Sequence, residues 1–309
     1  MFKTNRESEF HKGVIWSLTS AFLWSTTFIC ARYLMRDRVV DPVSLSFFRF
    51  FAGGVILFLF GYFFMRTKLF TLKTKDIPEL AFLAIFGVVG MSVLLFFGQQ
   101  TTTAINTSMI MQINPVIIFF LGLSIGEKAS LMKFLGIILS LAGCLLVVDV
   151  ITMRGFAYDF NHLSGDLIIL ASACCWAIYS VFGKNAVKRL GGFAVTTWTM
   201  LLGAIELLLL LMILPGERTA PNTGSTWGVI IYIAIFPTAI AFFAWFEAMD
   251  KIDLSLLNIM QYLTPVFTIV LACLILSERI SLLNAFGITL VIAGVMLIGT
   301  KSRNGKYSL

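Results

Sequence analysis

Residues 101–143 read TTTAINTSMIMQINPVIIFFLGLSIGEKASLMKFLGIILSLAG, and residues 254–294 read LSLLNIMQYLTPVFTIVLACLILSERISLLNAFGITLVIAG. Laid over one another, Ser108, Gln112 and Pro115 meet Asn258, Tyr262 and Pro265 at an offset of 150. Glu127, Gly136, Ala142 and Gly143 meet Glu278, Gly287, Ala293 and Gly294 at 151. Nearer the N-terminus, Ser20, Trp24 and Thr27 meet Ser172, Trp176 and Tyr179 at 152. Order and spacing held across half the chain point to an internal duplication.

The solvent for that duplication follows from composition. Of 309 residues, 59% are apolar and 13% charged, whereas a soluble domain carries about 25% charged residues. There is too little polar surface here to clothe a globule in water. A hydrocarbon core about 30 Å thick takes roughly 20 helical residues, and ten apolar runs meet that need, near 14–34, 43–65, 77–97, 103–124, 131–149, 165–185, 194–214, 226–248, 254–276 and 283–300. The first run is too long for a cleaved signal peptide and lacks small-residue cleavage spacing. Cys30, Cys144, Cys174, Cys175 and Cys273 all fall inside apolar runs, as small packing residues and not as a disulfide framework or a metal cluster.

Lys and Arg collect in short cytoplasmic loops. With the N-terminus inside, sixteen of the 23 basic residues fall in inner segments and six in outer ones, Arg49 lying within a span. Both termini are therefore expected to be cytoplasmic. The net charge of +7 is scattered over these loops, with no basic face for nucleic acid. Five spans per half is an odd number, so the second half enters the membrane upside down relative to the first. The expected fold is an all-α integral membrane protein of ten transmembrane helices in two inverted five-helix repeats. Its parts are a cytoplasmic N-terminal segment at 1–12, repeats at 13–149 and 165–300, a linker at 150–164 containing Arg154, Gly155 and Asp159, and a cytoplasmic tail at 301–309. Inverted repeats are built for alternating access, two like units rocking about a site near the midplane.

These segments, with SLTSAFLWSTTFICARYLM at 17–35 and its counterpart SACCWAIYSVFGK at 172–184, resemble the paired repeats of EamA-type permeases of the drug/metabolite transporter superfamily, over most of the chain from Gly13 to Gly299. The resemblance implies a two-repeat, ten-helix transporter in a bacterial-type plasma or inner membrane, of a kind that often exports amino acids or other small metabolites.

The stripes are spaced i, i+4, i+7, which sets their members on one helix face. Polar groups on such faces turn to the bundle interior, where they bind neighbours, water or solute, or glue helices together. Trp24, Thr27, Ser108, Gln112, Trp176, Tyr179, Trp245, Asn258 and Tyr262 are the candidate solute-binding residues, the aromatic ones suited to stack on an aromatic or cationic solute. Trp16, Trp198 and Trp227, near span ends, read as interfacial anchors. Pro115 and Pro265 lie near mid-span and deprive the Met111 and Gln261 carbonyls of their usual partners, which makes each a kink shaping the cavity or a hinge. Arg49 in span 2 and Glu206 in span 7 are rare intramembrane charges. They are expected to approach each other or flank the pathway, with Glu206 a candidate for proton coupling, or else Arg49 snorkels to the surface and Glu206 bonds locally. Glu127 and Glu278, at the ends of spans 4 and 9, are given structural roles, capping the following helix or binding loop partners. The matched small residues of spans 5 and 10 imply close helix contact within or between monomers.

An intramembrane enzyme is disfavoured. His11 and His162 both lie outside the spans, and neither HExxH nor GxSxG occurs, so zinc and serine hydrolase constellations are missing. No GxxxxGK[ST] loop occurs, so any active transport draws on a gradient or a partner. No cofactor or metal is expected; the expected partners are a small-molecule solute, the lipid bilayer and, as candidate coupling ion, protons. No motif specifies the oligomeric state. A receptor or channel is the remaining alternative, and inverted repeats with broken helices fit a carrier better.

Overall fold

A computed structural model describes residues 2–36, 39–64, 72–102, 107, 110–124, 131–147, 151–152, 155–156, 163–214, 221, 223–276 and 282–304. Its elements are α1 (Phe2–Arg36), α2 (Pro42–Phe64), α3 (Thr74–Gln99), α4 (Asn114–Ser124), α5 (Leu131–Val147), β1 (Ile151–Thr152), β2 (Gly155–Phe156), α6 (Leu163–Leu190), α7 (Gly192–Ile213), α8 (Gly224–Lys251), α9 (Leu254–Met260), α10 (Leu263–Leu276) and α11 (Leu282–Asn304). β1 and β2 form a two-residue antiparallel pair inside the expected linker. Ser108, Glu127, Glu278, Arg154 and Asp159 lie outside the described residues.

Among the described residues six helices are long and apolar enough to cross a membrane, in α1, α2, α3, α6, α7 and α8. Shorter apolar helices occupy Asn114–Ser124, Leu131–Gly143 and Ala285–Gly294. Large apolar side chains stand exposed on these helices, among them Phe64 (76%), Ile213 (75%) and Met212 (73%). In water such surface is a liability; against acyl chains it is the required exterior.

Local chemistry sets the helix starts. Asp41 precedes α2, its Oδ1 accepting from the backbone N–H of Val43 (3.1 Å) and Ser44 (2.9 Å), while Pro42 occupies the first position, where no N–H is needed. Thr223 caps α8, accepting from Thr226 N–H at 3.2 Å. Between α6 and α7 the chain reverses at Gly191, whose φ of +84° is a region that glycine reaches without a Cβ penalty.

The packing is pairwise. α1 lies against α8 and α10, while α6 lies against α3 and α4; α2 pairs with α7, and α5 with α11. The α5–α11 contact is backbone on backbone. A Cβ added at Gly143 would stand 2.6 Å from the Gly287 carbonyl oxygen and 2.8 Å from the Val291 nitrogen, and one at Gly294 would strike Ser140. Small residues buy this approach, as they do across membrane helix interfaces generally, and the contact lies within one chain.

Two interruptions depart from simple helices. Near their middles α3 and α8 relax into π-helical turns, at Ile85–Gly90 and Ala234–Ile240. The second contains Pro237, which has no N–H to give the ladder, and extra-residue turns of this kind recur at functional sites. The expected spans 4 and 9 are not continuous. The helix at 110–111 turns out at Gln112 and Ile113 before α4 starts, and α9 stops before Gln261 and Tyr262, after which α10 starts. Pro115 and Pro265 therefore stand in the first turn of a new helix, a favourable place for proline, and not within a continuous one. The Gln261 carbonyl keeps a partner, accepting from Thr264 N–H at 2.8 Å.

Candidate functional site

Helices α1, α2, α3, α6 and α8 and the two breaks surround a cavity of about 80 Å³, room for several water-sized groups. From α1 come Trp24, Thr27 and Phe28; from α2, Arg49; from α3, Met91 and Leu95. The first break supplies Met111, Gln112 and Asn114, the second Gln261 and Thr264, and Trp176 and Phe242 face them from α6 and α8.

One wall is aromatic. Trp24 meets Trp176 edge to face with ring centroids 5.1 Å apart, and Phe242 meets both, at 5.6 Å and 5.5 Å. Such edge contacts are favourable because the positive ring edge faces a negative π face. The indole Nε1 of Trp24 donates to the Pro237 carbonyl at 3.1 Å, tying α1 to the π turn of α8. The same turn holds the charged corner, where Arg49 Nε donates to Thr238 Oγ1 at 3.0 Å.

Arg49 is 2% exposed, its guanidinium carbon lying 4.7 Å from the Phe50 ring centroid and 5.5 Å from that of Phe96. Among the described residues it is the ionisable member of the lining, none of the described lining residues is acidic, and no ion pair joins it to Glu206 or to any other described carboxylate. The expected approach of Arg49 to Glu206 is therefore not seen. Leaving a buried charge without its counter-charge costs about 3–5 kcal/mol, and two aromatic faces and one hydroxyl offset only part of that.

The lining is short of hydrogen-bond partners as well as of negative charge. Thr27 Oγ1, Arg49 Nη1, Gln112 Oε1 and Asn114 Oδ1 are all buried without a partner among the described residues, and all four residues border the cavity. Buried polar groups in folded proteins are nearly always satisfied, so four of them bordering one small cavity make it the candidate binding site.

The other expected residues are arranged around this lining. Tyr179 is fully buried behind Trp176, its hydroxyl 3.2 Å from Thr199 Oγ1 and its ring over Gly87. Trp245 is fully buried, 5.4 Å from Trp24 and 5.6 Å from Trp176. Asn258 and Tyr262 are buried off the lining, and Glu206 is half-buried on α7, away from it. Trp16 packs on Phe243 and Trp198 on Phe58, at 5.5 Å and 5.9 Å. Asn114, Gln261, Thr264 and Phe242 went unmarked by stripe spacing, though Asn114 and Thr264 each directly precede a proline, where helix starts concentrate.

Known proteins match the chain over most of its length. A family model described as the EamA-like transporter family matches residues 11–149 and again 163–300. An uncharacterized transporter of Archaeoglobus fulgidus is 26% identical over 279 residues, covering 90% of this chain and 94% of the relative. The uncharacterized transporter YyaM of Bacillus subtilis is 28% identical, covering 91% and 92%. The uncharacterized inner membrane transporter YicL of Salmonella typhimurium is 23% identical, covering 94% and 96%. A solved crystal structure superposes with a TM-score of 0.76 at 22% identity, covering 94% of this chain and 98% of the other, and so shares the fold. These relatives are named as transporters and not as enzymes. Apolar helices enough for several membrane crossings, a cavity among them that carries a few polar side chains and a family match over both halves lead to one conclusion: the chain is a multi-pass membrane protein that belongs to the EamA-like transporter family.

Proposed function

We propose that the chain is a secondary transporter that moves a small organic solute, an amino acid or related compound, by alternating access between two inverted five-helix repeats, in the direction of export. The observation that carries this reading is the pair of helix breaks, at Gln112–Ile113 and at Gln261–Tyr262, both bordering one cavity. Discontinuous helices meeting at a membrane-depth site are the recurring construction of secondary carriers, where non-helical backbone is tolerated because it lines a cavity. The exchange of packing partners between the halves supports the inverted repeat, since α1 on α8 answers α6 on α3, and α1 on α10 answers α6 on α4. Drive comes from a solute or ion gradient, with protons as the candidate ion and Glu206 as the candidate coupling group, and both termini face the cytoplasm of a bacterial-type plasma or inner membrane.

Purified protein reconstituted into liposomes, loaded with single amino acids and small metabolites and assayed for counterflow, tests this reading. Saturable flux that unlabelled solute on the opposite side accelerates is expected. Flux that rises linearly with concentration, with no acceleration, would identify a channel.

A further inference from the structure

We propose that the cavity recognises a carboxylate and that Arg49 binds it, a statement that rests on the transporter reading for its claim that the ligand is the transported solute. Arg49 is a buried cation on the lining with Nη1 unpartnered. Its Nε donates to Thr238 Oγ1 and its guanidinium carbon lies 4.7 Å and 5.5 Å from the ring centroids of Phe50 and Phe96, which fixes the fork and leaves the two N–H groups of Nη1 without an acceptor among the described residues. A planar fork of N–H donors matches the two oxygens of a carboxylate, which an ammonium cannot do as well.

The surroundings favour the same charge. Helices α4 and α10, of 11 and 14 residues, both start at the cavity, with Asn114 and Thr264 on its wall. A helix N-terminus carries the positive end of the peptide dipoles. Pro115 and Pro265 each remove one N–H from these first turns, so the termini contribute field more than a row of donors, and directed bonds fall to Arg49 and the neighbouring amides. Among the described residues no acidic side chain belongs to the lining. A cationic solute without a carboxylate would bring a second positive charge beside Arg49 in a medium of low dielectric and be repelled. Trp24, Trp176 and Phe242 form the apolar wall, which suits a short hydrocarbon or aromatic body attached to the acid. Thr27, Gln112 and Asn114 are neutral, and each offers a buried oxygen with no partner among the described residues. They accommodate an amino or hydroxyl group on the solute without supplying a countercharge.

The test uses the full chain in lipid nanodiscs and three probes that share one ring: 3-phenylpropionate, phenylalanine and phenethylamine. Calorimetric titration and heat-stability shifts are expected to show binding of the two carboxylates and none of the amine. Arg49→Gln is expected to weaken both carboxylates at least tenfold, with Arg49→Lys intermediate. The unliganded Arg49→Gln protein should be no less heat-stable than wild type, since a buried unpaired charge has been removed, and that separates lost recognition from lost fold. Equal affinity for acid and amino acid supports a site that reads the carboxylate alone; tighter binding of phenylalanine supports the carboxylate with the amino group read in addition. Binding of the amine as tight as that of the acid, wild-type carboxylate affinity in Arg49→Gln, or failure of both carboxylates to bind wild type overturns the proposal. Carboxylates that bind Arg49-dependently but are not carried in liposomes leave this site standing and remove the transport reading. Saturable amine flux unchanged in Arg49→Gln does the reverse.

Discussion

Trp24 and Pro237 are joined by a hydrogen bond of 3.1 Å from the indole Nε1 to the prolyl carbonyl, so the helix that carries one cavity wall is tied to a π-helical turn in another. The neighbour of that proline, Thr238, accepts from Arg49. One irregular turn thus positions both the aromatic wall and the charged corner.

Replacing Trp24 with Phe keeps a ring against Trp176 and removes the bond. A stability loss of about 1 kcal/mol is expected for one such bond, measured as a shift in thermal unfolding. The KM for the transported solute should rise more than the maximal rate falls, because the wall loosens and the breaks are untouched. An unchanged KM would mean that the bond serves the fold alone.

At Gly87 the prediction concerns packing. A Cβ there would overlap the Tyr179 ring, and Tyr179 is fully buried, so Gly87→Ala should destabilise by about 1–3 kcal/mol, as overpacking does. Combining it with Tyr179→Ala should recover part of that loss, a coupling that a double-mutant cycle reads directly.

The α5–α11 contact should be less forgiving. At Gly143 the obstacles are the Gly287 carbonyl oxygen at 2.6 Å and the Val291 nitrogen at 2.8 Å, backbone atoms that cannot rotate away. Gly143→Ala is expected to lower the yield of monodisperse protein sharply. Gly228→Ala, at a helical site with nothing within 4 Å of the added carbon, should be neutral or slightly stabilising, since alanine is the better helix former. Equal yields for the two variants would show that the close approach is not required.

Much of this is legible in the amino-acid sequence. The spacing of Trp24 and Thr27 in one helix and the repeat partner Trp176 in another mark residues that do line the cavity. Periodicity assigns a face, however, and not a depth: Tyr179 shares the stripe of Trp176 yet lies behind it, pressed on Gly87. It also fails where the helix does. Asn258 and Tyr262 were phased as if the helix ran on to Pro265, but the chain turns at Gln261 and Tyr262, and the cavity receives Gln261 and Thr264 instead. The sequence leaves Arg49 approaching Glu206, flanking the pathway or snorkelling to the surface; it borders the cavity, and its acceptor, Thr238, lies 189 residues away, a contact that no local pattern encodes.

The prolines give a prediction about motion. Pro265→Ala restores an N–H at the start of α10, opposite a Gln261 carbonyl that now accepts from Thr264. That favours joining α9 to α10 through the break. If the break must flex during transport, flux should slow with membrane expression intact. Unchanged flux would mean that the proline only shapes the cavity.

Glu206 gives the prediction about drive. It sits half-buried on α7, outside the cavity lining, with Oε2 buried and without a hydrogen-bond partner among the described residues. A carboxyl so placed is poorly solvated as an anion and has an oxygen free to hold a proton, so exchanging that proton between the two membrane faces would couple solute movement to a pH gradient. Vesicles with an imposed gradient should show faster solute movement than vesicles without one, and Glu206→Gln, which keeps the shape and cannot ionise, should lose that acceleration while retaining solute counterflow. Two results reject the role: no gradient dependence in the wild type, or full dependence in the variant. Retained counterflow matters to the argument, because it separates loss of coupling from loss of the carrier. Since α7 pairs with α2, the helix that carries Arg49, any influence of Glu206 on the cavity has a direct route through that contact.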